Sequence, residues 1–223
     1  MPMLREKGEV QLEGAFTGSS YRTEGFDGQA AVAVTDHVGV VGAYSYAQAP
    51  LKDCSKAPPG HCDLHRHHFG EVGIGYTTRV GRDWFGVNAY GGYGYGWVEA
   101  FGEHQFFGLQ ERTVASGWYG RFYLQPGLFI DVGPIQYGIA YRITRVRFHQ
   151  IETTQSDWDT DEGTVFLEPT ITLRAGFDSV MFVSQWGIVG SLEDPPYPYA
   201  ATYGGLGIRL RLNEIFWDRS EER

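Results

Sequence analysis

The chain predicts an all-β protein: a single antiparallel up-and-down transmembrane β-barrel, with ten strands the expected number and eight or twelve the alternatives. Three observations carry that expectation. The first is a period of two with unlike faces. Between positions 84 and 97, Phe85, Val87, Ala89, Gly91, Tyr93, Tyr95 and Trp97 fall on one side, and Trp84, Gly86, Asn88, Tyr90, Gly92, Gly94 and Gly96 on the other. Strand side chains alternate, so this run describes a sheet with one apolar and one small or polar face. A soluble barrel fills its interior with large apolar groups. Here the glycine-rich face is the better interior, which is the inversion expected of a barrel in lipid. The second observation is the rhythm of the connections, short alternating with long. The third is composition. The 223 residues hold 31 Gly, 14 Tyr, 14 Phe and 6 Trp. There is no G-X-Y period, so this is not collagen, and the steady aromatics exclude disorder. No window approaches the roughly 18 apolar residues of a membrane-spanning helix.

Taken in order, strands are expected near 9–17, 26–34, 38–48, 68–79, 84–97, 117–130, 135–148, 164–174, 179–190 and 202–212. The tight reversals are Thr35-Asp36-His37, Val80 to Asp83, Asp131 to Pro134 and Gly176-Phe177-Asp178, each with the Gly, Asp or Pro that a turn favours. The long connections cover about 18–25, 49–67, 98–116, 149–163 and 191–201. Short periplasmic turns opposite longer outer loops are how transmembrane barrels are built, and an even strand number returns both termini to the periplasmic end. One domain over 1–223 is expected, with strands within about 9–212 and short polar tails.

Each strand repeats the division of faces. Val10, Leu12 and Phe16 oppose Gln11, Glu13 and Ala15, and Val72, Ile74 and Tyr76 oppose Glu71, Gly73 and Gly75. Phe122, Leu124 and Leu128 oppose Arg121, Tyr123 and Gln125. Ile135, Tyr137, Ile139, Tyr141 and Ile143 oppose Gln136, Gly138, Ala140 and Arg142. Val165, Ile171 and Leu173 oppose Glu168, Thr172 and Arg174, and Leu206, Ile208 and Leu210 oppose Arg209 and Arg211. Buried charge is tolerable only when paired or hydrated. The lumen is therefore expected to pair Arg121, Arg142, Arg174, Arg209 and Arg211 with Glu13, Glu71 and Glu168, glycines relieving the crowding beside the long side chains. That makes a stiff plug rather than an open pore. Phe16, Phe26, Trp97, Trp118, Trp186 and Tyr203 fall near strand ends, where aromatic rings favour the headgroup level.

The formal charge of −9 leaves no basic surface for a nucleic-acid backbone, so nucleic acid is not an expected partner. The opening MPMLREKGEV carries charge but no apolar h-region and does not read as a signal peptide. An exported barrel then implies a leader that was removed, or a start that is cut or misassigned. The whole pattern resembles the small outer-membrane barrels of Gram-negative bacteria, the class of the OmpA-type and OmpX-type barrels. More narrowly, LREKGEVQLEGAF followed by GFDGQAAVAVTDHVGVVGAYSYA is similar to small barrels of Bacteroidota. The resemblance implies fold and location, the cell outer membrane, and carries no set of functional residues with it. One departure stands at the end: Phe216 and Trp217 are followed by DRSEER, whereas many such barrels close on an aromatic strand residue.

Chemistry has few places to sit. Cys54 and Cys62 share the 49–67 loop, and an oxidising, exported setting favours a disulfide between them. His61, Cys62, Asp63, His65, His67 and His68 have the residue types of a metal site but match no strong spacing, so no metal is expected. The acidic run Asp157, Asp159, Asp161 and Glu162 suits a hard cation such as calcium, but a plain solvated loop is the expected reading. A barrel hydrolase needs a nucleophile or water, a histidine and a carboxylate together at the outer rim. Glu103, His104, His149, Ser156, Asp157, Asp159 and Asp161 supply the types without a local motif, so no catalytic residue is assigned. His149 with Asp157 to Asp161 is the best such group. Pro195, Pro196 and Pro198 stiffen a loop that presents Tyr197 and Tyr199, the first choice for a partner contact. The functional expectation is an accessory, structural or surface-binding barrel without cofactor. Its partners are outer-membrane lipid and a surface or periplasmic protein. The rivals are a lipid-modifying or proteolytic enzyme, a narrow channel, and a soluble β-barrel binding protein.

Overall fold

A computed structural model describes residue 4 and residues 6–19, 24–48, 64–81, 84–106, 109–153, 163–193 and 202–212; side chains are described for these except at 64–65 and 100–115. The strands are β1 (Val10–Ser19), β2 (Glu24–Ala33), β3 (Val38–Gln48), β4 (Leu64–Arg79), β5 (Phe85–Phe106), β6 (Leu109–Asp131), β7 (Ile135–Thr153), β8 (Thr164–Gly176), β9 (Val180–Ile188), β10 (Gly190–Ser191) and β11 (Thr202–Arg211). From β1 to β9 each strand pairs antiparallel with the next, and β11 pairs with both β1 and β9, closing the ring. The two-residue β10 continues β9 along β8: Gly187 opposite Thr170 and Gly190 opposite Leu167 keep one register. The barrel therefore has ten staves, the expected number. Closure satisfies the backbone groups within the sheet, as a lipid environment demands.

The turns at one end are the short ones expected. Gly81 and Gly133 sit at φ +72° and +77°, where a side chain would be strained, and Phe177 N–H donates to Val180 O at 2.9 Å to close the last reversal. The other end is taller than the sequence suggested. β5 and β6 run 22 and 23 residues and stay paired from Phe85–Ile130 to Phe106–Leu109. The expected loop over 98–116 is thus mostly strand, and β4 and β7 likewise reach past the expected loop edges to Leu64 and Thr153. A tilted strand crosses the bilayer in about 9–11 residues. The 9 and 10 residues of β9 and β1 just suffice, while β5 and β6 hold about twice that length.

The faces divide as the alternation predicts. Phe16 is 78% exposed and Phe182 73%, with Val72, Phe122, Trp186 and Leu206 also bare on the outside. Inside, Arg174 and Arg209 are among the most deeply buried side chains, with Gln136 and Thr144. Lumen glycines serve a purpose different from the expected one. They seat rings from the facing strand rather than guanidinium stems. A Cβ at Gly75 would overlap the Tyr90 ring opposite it, one at Gly86 the Phe129 ring, and one at Gly187 the Tyr203 ring. Tyr203 thereby leaves the expected aromatic belt. It shares the parity of Arg209 and Arg211, points inward, and lies 2.7 Å from Thr170 Oγ1. Phe16, Phe26, Trp118 and Trp186 do face outward, with Phe16 and Phe26 edge to face at 6.2 Å.

Candidate functional site

The lumen gathers the chemistry, in two charged girdles. One lies among β4, β6 and β7. Glu71 receives Arg121 at 2.7 Å and Arg142 at 3.1 Å. Arg121 also lies over the Phe69 ring at 4.1 Å and Arg142 over Tyr123 at 4.4 Å, while Arg142 Nε donates to Gln125 Oε1 at 2.6 Å. The rings offer their negative faces to the cations, a second source of attraction beyond the carboxylate. Thr144 donates to Glu168 at 2.6 Å nearby.

The other girdle joins the first and last strands. Arg174 donates to Glu13 through both Nε, at 3.0 Å, and Nη2, at 2.7 Å. Arg211 meets Glu9 at 2.7 Å, and Arg209 donates to Gln136 Oε1 at 2.7 Å. Every arginine expected in the lumen is there, and so are Glu13, Glu71 and Glu168. Gln125 and Gln136, expected on the polar face, belong to the same set. Glu9 belongs to it too but was not singled out in the sequence; its parity with Gln11 and Glu13 was the available signal.

An apolar layer also lies in the lumen. Leu4 is buried among Ala31, Ala33, Val41, Tyr90, Tyr123 and Ala140. The segment before β1 is held there by Gly8 N–H to Ala33 O at 2.8 Å and by Lys7 N–H to Asp36 Oδ1 at 3.0 Å.

Among the described residues, the histidines of the other expected sites do not come together. His67 and His68 lie within β4 rather than in a loop, and consecutive strand residues face opposite ways. His67 contacts Tyr119 and stacks on Phe69 inside, whereas His68 Nδ1 lies 3.0 Å from Tyr44 Oη outside. The two imidazoles cannot converge on one ion. His149 is carried to the outer face, stacked on Tyr95 at 5.8 Å. Ser156, Asp157, Asp159, Asp161, Glu162, Tyr197 and Tyr199 lie outside the described residues, as do His61 and Asp63; of Glu103 and His104 only the backbone is described. The expected Cys54–Cys62 disulfide is corrected. No disulfide occurs among the described residues, and both cysteines lie outside them. The fold needs no such staple, because backbone ladders from β1 through β11 already close the ring.

A closed ten-strand barrel with a bare apolar exterior and a charged, paired interior is a transmembrane β-barrel of the outer-membrane type. Its place is the outer membrane. No family model matches the chain, and no curated protein matches it. Among solved structures it is similar to the attachment invasion locus protein Ail of Yersinia pestis, at 12% identity and TM-score 0.41, covering 92% of this chain and 99% of that one. It is similar to the translocator domain of the autotransporter NalP of Neisseria meningitidis, at 10% identity and TM-score 0.48, covering 92% and 86%. It is also similar to LpxR of Salmonella typhimurium, at 10% identity and TM-score 0.43, covering 90% and 99%. At these values the likenesses carry no argument about activity, and neither the OmpA or OmpX type nor a Bacteroidota family is singled out by them.

Proposed function

We propose that this barrel is an accessory outer-membrane protein that conducts no bulk flow and acts through its outer surface. The observation that carries the reading is the packed lumen. The Glu71–Arg121–Arg142 and Glu13–Arg174 groups reach across it, and the Leu4 layer fills space among the lumen side chains. Ten strands enclose a bore between that of a filled small barrel and that of a porin, so side chains of this length suffice to block it. A protein partner would meet the loops at the tall end, with Tyr197 and Tyr199 as the proposed contact.

Planar-bilayer reconstitution tests the reading. The expected result is no steady conductance. A stable nanosiemens-scale channel would overturn it. In the rival hydrolase reading His149 would have to act from the outer face, where it stacks on Tyr95. A hydrolytic activity abolished by His149→Ala would restore that rival.

A further inference from the structure

We infer that the closing girdle is a binding site for a small inorganic anion of halide size, seated on Arg209 and Gln136. The charges of that girdle do not balance. Arg174, Arg209 and Arg211 enter the lumen from β8 and β11, and Glu9 and Glu13 meet them from β1 and the residue just before it. Glu13 stands opposite Arg209 in the ladder, yet its carboxylate goes to Arg174 through two bonds. Glu9 meets Arg211 and also accepts from Gln11, both at 2.7 Å. Three guanidinium groups thus share two carboxylates, and Arg209 is the one left over. The next carboxylates out are engaged elsewhere. Asp131, across the ladder from Gln136, pairs with Arg79 at 3.2 Å. Asp178 lies 3.8 Å from Arg211 with its side chain 53% exposed, so water screens it.

What Arg209 touches instead is neutral. Its Nη1 donates to Gln136 Oε1 at 2.7 Å, and its Nη2 donates to the Met181 sulfur at 2.7 Å. A thioether is a weak acceptor on a flexible side chain. Among the described residues, Arg209 Nε and Gln136 Nε2 have no hydrogen-bond partner. Both atoms belong to one hydrogen-bonded pair, in which Gln136 has no exposure and Arg209 is 1% exposed. A buried donor without an acceptor is costly, and a buried charge without a counter-charge costs more.

Two stranded donors on adjoining side chains and one surplus positive charge call for the same group: a negatively charged acceptor with no proton of its own to place. Water would satisfy the donors but not the charge, so the occupant is an anion. Burial fixes its size. Met181 and Arg174 have no exposure and Val183, across the ladder from Arg174, has 3%. A lipid headgroup or a peptide carboxylate has no way in, whereas a single ion is caught as the girdle forms during folding.

The test uses the full chain folded in lipid vesicles, unfolded with urea in sodium chloride, sodium bromide or sodium gluconate of equal ionic strength. For one site present only in the folded state, the folded-to-unfolded ratio rises about tenfold for each tenfold of halide above its dissociation constant. Chloride and bromide should therefore stabilise the barrel in a concentration-dependent way that gluconate, too large for the site, does not reproduce. Gln136→Glu sets a carboxylate beside Arg209 Nη1 and supplies the missing charge from within, so its stability should no longer depend on the anion. Arg209→Met removes the surplus cation and should lose the dependence as well. Crystals grown in bromide need no variant: an anomalous peak beside Arg209 and Gln136 is expected. Equal stability in halide and gluconate, an undiminished halide effect in Gln136→Glu, or no bromide beside Arg209 and Gln136 would overturn the site.

Discussion

The two lumen girdles use the same chemistry to hold different parts of the chain. Glu71, Arg121 and Arg142 stand on strands close in sequence, 50 and 71 residues apart in their pairs. Glu13 and Arg174 are 161 residues apart and bridge the first strand to the eighth, across the segment where the ring closes. The neighbouring girdle has aromatic faces under both cations. In the closing girdle Arg174 has no exposure at all, and its pairing with Glu13 uses two nitrogens. The difference teaches that local strand pairing tolerates a shared, cushioned carboxylate, whereas closure concentrates on direct ion pairs made by deeply buried arginines.

The largest expected effect therefore belongs to Glu13→Gln. Removing one partner of a buried pair costs about 3–5 kcal/mol, mostly from the stranded charge. Glu71→Gln should cost less, about 2–3 kcal/mol, because Phe69, Tyr123 and Gln125 remain under the two arginines. Urea unfolding in lipid vesicles, followed by tryptophan fluorescence, ranks the two. Equal costs, or a greater cost for Glu71→Gln, would remove the distinction between the girdles.

The girdles were legible in the sequence because lipid enforces alternation. Ile139 must differ from Ala140 and Arg142 when one face is hydrocarbon and the other a polar lumen. The same reason hid the tall end. Beyond the membrane a strand meets water on both faces, so the stretch VEAFGEHQF of β5 carries no clean period of two, and it reads as loop. Leu4 was illegible for another reason: nothing local in MPMLREKGEV says that a lone leucine will enter the barrel. Tyr203 was ambiguous in kind, since a ring with a polar handle suits either the belt or a lumen with a Thr170 hydroxyl to meet.

The next effect sharpens the contrast between inside and outside rather than between girdles. Arg142 stabilises the lumen, yet a guanidinium three residues away, in Ile139→Arg, would face lipid from a site that is now 45% exposed. The expected cost is about 2–4 kcal/mol if the position lies near the bilayer midplane. The same vesicle unfolding measures it. An unaffected Ile139→Arg barrel would mean that this outer face meets water, and the soluble binding-protein reading would return.

The smallest effect concerns an ion pair above the belt. Arg66 and Glu99 are cross-strand partners on β4 and β5, separated by 3.8 Å, with side chains 37% and 32% exposed. Their charges match those of Glu13 and Arg174, but solvent reaches them, and exposed pairs contribute about 0–1 kcal/mol. Glu99→Gln should shift stability by no more than about 0.5 kcal/mol, and added salt should shrink even that shift, since screening acts over roughly 8–10 Å. The pair lies where the tall strands β4 and β5 pass beyond the outward Trp97. It thus tests where lipid ends. A loss as large as that of Glu13→Gln would place Arg66 and Glu99 within the hydrocarbon. The projecting part of β5 and β6 would then have to be membrane wall, and the division between a short spanning sheet and a tall exposed one would fail.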